Sequence, residues 1–168
     1  MKDPRIDVAE TVYRFAYGID RRDWAGYRSI FVESPLGIDF DYSSYHGRPA
    51  SRMDVDTWIA GITPVFSGLD ATQHSMTNPL VEIDGDAARC RMYMQAAHFL
   101  QRDDLEVATG SADSEFTIGG YYDDHLVRMD EPDGARSWRI DRVALTVWWR
   151  RGNPAIMDLA RTTGGATT

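Results

Sequence analysis

A single cysteine, Cys90, stands in the 168 residues, so no intramolecular disulfide framework is possible. Cys90 falls mid-strand on the face of Met92 and Met94 and reads as a small apolar core residue rather than a nucleophile. Basic residues are also scarce. There are 18 Lys and Arg against 26 Asp and Glu, a net charge of -8. Binding to nucleic acid or anionic lipid needs clustered cations, and the best cluster, Arg150–Arg151, is too small for either partner. No apolar run of about 18 residues occurs, which speaks against a membrane span. The opening MKDPRIDVAE lacks the apolar stretch of a secretory signal, so the expected location is cytoplasmic. There is no G-x-S-x-G elbow for a nucleophilic serine and no H-x-E-x-x-H-like metal spacing. Gly119-Gly120 is not followed by a helix start, which rules out a phosphate loop.

What is present has the balance of one ordinary globular domain: 43% hydrophobic and 26% charged residues. Apolar residues from Ile6 to Ile19 recur every three and four positions, predicting a helix that starts at Asp3-Pro4. Asp23 is placed to cap a second, short helix over Trp24 to Phe31. After the turn at Pro35-Leu36-Gly37, Ile38–Tyr42 alternates like a strand. A third helix carries Val55, Ile59, Ile62, Val65 and Phe66, with Pro64 expected to end or kink it. From Ala71 onward the chain reads as four long strands: 71–83, 86–100, 115–129 and 137–149. Turns at Asp84-Gly85-Asp86 and Glu131-Pro132-Asp133-Gly134 join them in pairs. Residues 101–114 read as a long mobile loop, and Gly119-Gly120 as a bulge or bend. The expected fold is α+β. A curved antiparallel sheet carries three helices over one mouth and keeps an interior pocket. The domain spans residues 1–152, with a C-terminal tail over 153–168.

Three polar residues stand on faces expected to turn inward. His74 shares its strand face with Met76, Asn78 and Leu80. His98 follows Ala88, Cys90, Met92, Met94 and Ala96, a face of small and apolar side chains that suits a cavity. Asp20 lies one turn beyond Ala16 and Tyr17 on the first helix, where a carboxylate is costly unless paired. Each has a plainer reading: a core histidine satisfied by a neighbour, or a solvated carboxylate in the run Asp20–Asp23. Two histidines and a carboxylate could also ligate zinc or iron. Together they fit an acid–base site, because imidazole titrates near neutrality and a carboxylate fixes its tautomer.

Three segments carry a family resemblance: Asp20-Arg21-Arg22-Asp23-Trp24, Thr72-Gln73-His74 and Ala97-His98. With the closing Trp138-Arg139-Ile140 strand, the chain resembles the SnoaL-like branch of the nuclear transport factor 2 (NTF2)-like superfamily, and within it the scytalone dehydratases, over about residues 8–149. The resemblance implies a cone-shaped α+β barrel, an Asp–His pair with a second histidine, and chemistry without metal or organic cofactor. The expected activity is that of a lyase, a dehydratase or cyclase, on a small polyketide-like or cyclic hydroxy-ketone. His74 would take a proton beside a carbonyl, oriented by Asp20. His98 would donate a proton or hydrogen bond. Tyr17 or Tyr42 would hold the oxyanion, and Phe40, Met76, Met94 and Trp148 would line the wall. One rival is a ketone isomerase with Asp20 as direct base. The other is a non-catalytic binding or assembly module, marked by an exposed stripe of Val143, Leu145, Val147 and Trp149. That stripe could also join a homo-oligomer, dimer or trimer, through the sheet face.

Overall fold

The computed structural model describes residues 3–33 and 35–165. Helix α1 (Pro4–Arg21) begins where the sequence places it, with Asp3 accepting from the Arg5 backbone N–H and Pro4 in the first turn. Its apolar stripe, including Val8, Val12, Phe15 and Ile19, is buried. Asp23 caps α2 (Trp24–Arg28) through the Gly26 N–H, and Asp54 caps α4 (Val55–Gly68) through the Thr57 N–H. Between them lie β1 (Ile38–Asp41), the single-turn α3 (Ser43–His46) and β2 (Ser51–Met53). The long strands follow as β3 (Ala71–Asp84), β4 (Ala87–Phe99), β5 (Glu115–Asp130) and β6 (Arg136–Gly152).

All six strands form one curved, unclosed sheet in the order β2-β1-β6-β5-β4-β3. The pairing is antiparallel except between β1 and β6, which run parallel, so the expected all-antiparallel sheet is mixed at that seam. Strand β1 returns from α2 along β6, and a parallel neighbour is the outcome of that crossover. The inner face carries Ala88, Cys90, Met92, Met94, Ala96 and His98 of β4 and Phe116, Ile118, Tyr122, Asp124 and Leu126 of β5. Helix α1 lies across this face, its Phe15 ring 5.1 Å from that of Tyr122.

Register irregularities aim the side chains. The β5/β6 pairing slips between Gly119 and Gly120, the bend the glycine pair predicts. A Cβ at Gly119 would lie 2.2 Å from the Trp149 ring, so only glycine fits there. In β3 the register shifts between Thr77 and Leu80, where Asn78 adopts φ 55° ahead of Pro79. That shift throws Leu80 into solvent, off the inward face that His74 and Met76 keep.

Several expectations are corrected. The expected tail over 153–168 contains α6 (Ala155–Gly164), packed on α4 with Ile156 and Ala160 fully buried. Contact is backbone-close: a Cβ at Gly68 would meet the Ala160 carbonyl oxygen at 2.0 Å. Residues 166–168 lie outside the described residues. The loop over 101–114 holds a short helix, α5 (Leu105–Thr109), anchored by the Asn153 amide, which donates to Thr109 Oγ1 and the Asp113 carbonyl. Pro64 does not end α4, which runs on to Gly68. The stripe read as exposed holds only at Trp149: Val143 and Leu145 are buried inside the sheet and Val147 is partly buried. The aromatic cluster on the outer face is Tyr93, Tyr121 and Trp148, with Trp148 ring centroids 5.6 and 5.2 Å from the two tyrosines. The slip between His125 and Leu126, where Asp141 is the extra residue of β6, changed the phase of that strand and exchanged the two faces. Among the described residues, no helix is long and apolar enough to cross a membrane.

Candidate active site

Asp20 stands in the last turn of α1, and β3 runs alongside it. Successive even positions of β3 point the same way, so Thr72 and His74 both reach the carboxylate. Thr72 Oγ1 donates to Asp20 Oδ1 at 2.8 Å, and the His74 backbone N–H donates to Oδ2 at 2.7 Å. The His74 ring nitrogen Nδ1 meets Oδ1 at 2.7 Å. A carboxylate only accepts, so Nδ1 carries the hydrogen and Nε2 keeps its lone pair in the neutral ring. Burial alone would raise the Asp20 pKa. The three contacts from His74 and Thr72 outweigh it and hold the carboxyl below its ordinary value. The His74 side chain is 5% exposed and that of Asp20 20%.

His98 enters from β4, opposite Thr72 in the β3/β4 register. Its ring centroid is 5.8 Å from that of His74, nearly perpendicular to it. Phe66 of α4 roofs the pair, 6.2 Å from each imidazole, and Phe116 stacks on the far side of His98 at 6.1 Å. Burial, then the nearby His74, lowers the His98 pKa to about 4, so the ring is neutral at pH 7. Its Nδ1 lies 3.0 Å from the Phe116 carbonyl oxygen. That oxygen can only accept, so the Nδ1 hydrogen is already committed. His98 was expected to donate a proton or hydrogen bond; in this arrangement the neutral ring keeps no second N–H for that.

The roof is tied to the dyad's helix. Arg22, two residues past Asp20, adopts φ 54°, and its guanidinium donates to the Phe66 carbonyl at 2.7 Å and to the Leu69 carbonyl. These are carbonyls at the C-terminal end of α4 that the helix itself leaves open.

The expected wall divides. Met76 and Met94 are register partners on the inner face, one step from the His74–Ala96 pair. Phe40 is buried but stacks on Trp58 at 4.1 Å, and Tyr42 sits between Trp58 and Tyr122, and among the described residues neither ring contacts an imidazole of the trio. Tyr17 is 62% exposed and Trp148 60%, and both are corrected out of the site. Tyr17 lies on the solvent side of α1, with Arg21 over its ring. Trp148 was turned outward by the register slip. Residues the sequence reading missed are Thr72, Phe66, Phe116 and Tyr122. Thr72 and Phe66 had signals, as the first residue of Thr-Gln-His and the last of the α4 stripe. Tyr122 had none, because the glycine pair left the strand phase open.

Two further features lie away from the trio. Grooves of about 240 and 330 Å³ open on the outer face, around Trp148 and around His125 respectively. Deep on the inner face, Asp124 is 1% exposed, and among the described residues neither carboxyl oxygen has a well-formed hydrogen bond, the Ala144 backbone N–H being a weak donor to it. Burial and the neighbouring Asp123 charge push its pKa well up. Burial also lifts the Cys90 thiol to about 12, which suits a core residue. Among the described residues, no group of three or more His, Cys, Asp or Glu side chains could hold a metal ion.

Comparison with known proteins agrees with this fold. A protein from Kribbella flavida, Kfla4162, superposes with a TM-score of 0.75 at 25% identity, covering 94% of this chain and 96% of that one. The hexachlorocyclohexane dehydrochlorinase LinA-type3 from Novosphingobium barchaimii LL02 gives 0.65 at 13% identity over 90% of each chain. An NTF2-like superfamily protein from Salmonella enterica serovar Typhimurium gives 0.60 at 20%, over 89% of this chain and 90% of that one. No curated protein matches. The SnoaL-like domain family matches residues 4–144, most of the chain's length, and the chain belongs to that family.

Proposed function

We propose that the protein is an acid–base lyase, a dehydratase or cyclase, that needs no cofactor and acts on a small cyclic or polyketide-like hydroxy-ketone. The observation that carries this reading is the buried 2.7 Å contact between Asp20 and His74, which leaves His74 Nε2 as a lone pair inside the domain. Nε2 takes the proton beside the ligand carbonyl, and the Asp20 carboxylate stabilises the imidazolium that forms. The enolate then re-forms the carbonyl as the β carbon–oxygen bond breaks. Hydroxide leaves with the proton returned by His74, giving an enone and water, so one imidazole serves as base and then acid. That economy matches a site whose second histidine has no proton to spare. The name of the LinA neighbour, a dehydrochlorinase, supports an elimination of this kind.

The isomerase reading needs Asp20 itself as base. Its Oδ1 and Oδ2 are both occupied by Thr72 and His74, which argues for the orienting role. Exchange of the α-hydrogens of cyclohexanone with deuterated water tests the proposal directly. Wild-type protein is expected to accelerate exchange, and His74→Gln to lose about 10²–10⁴-fold. Exchange no faster than in buffer, or a His74→Gln protein equal to wild type, overturns it.

A further inference from the structure

We infer that His98 acts through Nε2 as a hydrogen-bond acceptor, and that the ligand of this site carries a hydroxyl directed at that nitrogen. The inference rests on the acid–base reading for its site and extends it to the class of substrate. Phe116 presents a carbonyl oxygen to His98 Nδ1 at 3.0 Å, and this is the one hydrogen bond of the ring among the described residues. A carbonyl oxygen accepts and never donates, so the geometry alone puts the ring hydrogen on Nδ1. Nε2 then holds a lone pair.

The surroundings supply no donor to that lone pair. His74 stands nearest, ring to ring at 5.8 Å, and its own hydrogen is held by Asp20. Phe66 and Phe116, the other rings around His98, are hydrocarbon. Thr72, its register partner, gives its hydroxyl hydrogen to Asp20. With each Nδ1 hydrogen committed to an oxygen, each neutral imidazole offers a ligand one lone pair and no free N–H. A ligand oxygen without hydrogen, as in an ether or a second ketone, finds nothing to bind there and leaves Nε2 desolvated and unpaired. A hydroxyl satisfies it. A buried acceptor of this kind rejects analogues that lack the hydrogen, because the unpaired group costs far more than a lost van der Waals contact. The burial that keeps the ring neutral also keeps it an acceptor through the physiological range.

This separates the two histidines by task. His74 moves a proton. His98 selects a substrate bearing an O–H a few ångströms from the acidic carbon, and holds it so that this carbon faces His74.

The test pairs 4-hydroxycyclohexanone with 4-fluorocyclohexanone, in which fluorine keeps the size of the hydroxyl but has no hydrogen to donate. Neither has a leaving group β to the carbonyl. Titration calorimetry on the wild type is expected to show the hydroxy-ketone binding about tenfold tighter or more. In His98→Leu the two affinities should fall within about threefold of each other. Should that variant fail to fold, ¹⁵N NMR of the wild-type imidazoles at pH 7 decides alone. His98 is expected to carry hydrogen on Nδ1 only, with its Nε2 resonance shifting on addition of the hydroxy-ketone and not of the fluoro-ketone. Equal wild-type affinities, a preference that survives in His98→Leu, or a hydrogen on His98 Nε2 overturns the inference. Wild-type α-hydrogen exchange reads His74 separately. Its absence sinks the lyase reading while the affinity ratio still reports on His98.

Discussion

One sheet carries two aspartate–histidine pairs of nearly equal length, one on each face. Inside, Asp20 meets His74 at 2.7 Å; outside, Asp141 meets His125 at 2.6 Å. A distance alone would rank them together. Their settings differ in three ways. The inner side chains are 20% and 5% exposed and the outer ones 30% and 41%, so water screens the outer pair more strongly. Asp20 is also fixed by Thr72 Oγ1 and the His74 backbone N–H, whereas Asp141 accepts from His125 alone among the described residues. The inner pair faces a second, neutral imidazole under a phenylalanine roof, while the outer pair borders a charged groove with Arg89, Arg142 and Asp123. A carboxylate–imidazole contact becomes a site for chemistry when its surroundings fix the tautomer and exclude water.

The largest expected effect contrasts the two histidines. His74→Gln should lower α-hydrogen exchange by about 10²–10⁴-fold while His125→Gln leaves it within about twofold, measured by NMR in deuterated water. Equal losses would break the distinction between the faces. Next comes the carboxylate. Asp20→Asn turns an acceptor into an amide that no longer stabilises the His74 imidazolium, and exchange should fall about 10²-fold or more, while Asp141→Asn stays near wild type.

A smaller effect concerns stability. His98 titrates near 4 folded and near 6.5 unfolded, so the unfolded chain binds more protons between those values. Stability should therefore fall as pH drops from about 6.5 towards 4. His98→Leu should flatten that segment in thermal unfolding, and His125→Leu should not reproduce it. The smallest expected effect lies at Asp124, whose pKa is raised by folding. The folded state then binds the extra proton, and the carboxyl costs stability as pH rises above its unfolded value of about 4. Asp124→Asn should raise the melting temperature by a few degrees at pH 7, a gain that disappears near pH 4.

Much of this was legible in the sequence, and the limits follow physical lines. Helix caps are local, and Asp3 and Asp23 each start a helix as read, while the third helix, whose start the sequence left open between Asp54 and Asp56, begins at Asp54. Strand alternation placed His74 and His98 on the inner face because no irregularity intervenes between His74 and Met76 or along the β4 face that ends at His98. Alternation failed where a bulge resets the phase. Gly119-Gly120 announced one bulge, but the slip that turned Trp148 outward lies at His125/Leu126, where β6 carries the extra residue Asp141 and no glycine marks it. Leu80 was lost to the Asn78-Pro79 irregularity in the same way. The resemblance supplied the link between Asp20 and His74, which lie 54 positions apart and which no local pattern could join. The tautomer of His98 depends on a backbone carbonyl across the sheet, and side-chain identities carry no trace of it. Helix α6 was missed because its Thr/Gly-rich end outweighed the spacing of Ile156 and Ala160.

Phe66 and Arg22 make two helices answer for one dyad. The phenylalanine ring stands 6.2 Å from both imidazoles, and Arg22 fastens the carbonyls beside it to the helix that carries Asp20. A shift of that end of α4 therefore reaches Asp20 through one guanidinium, and loss of Arg22 uncouples the two helices there.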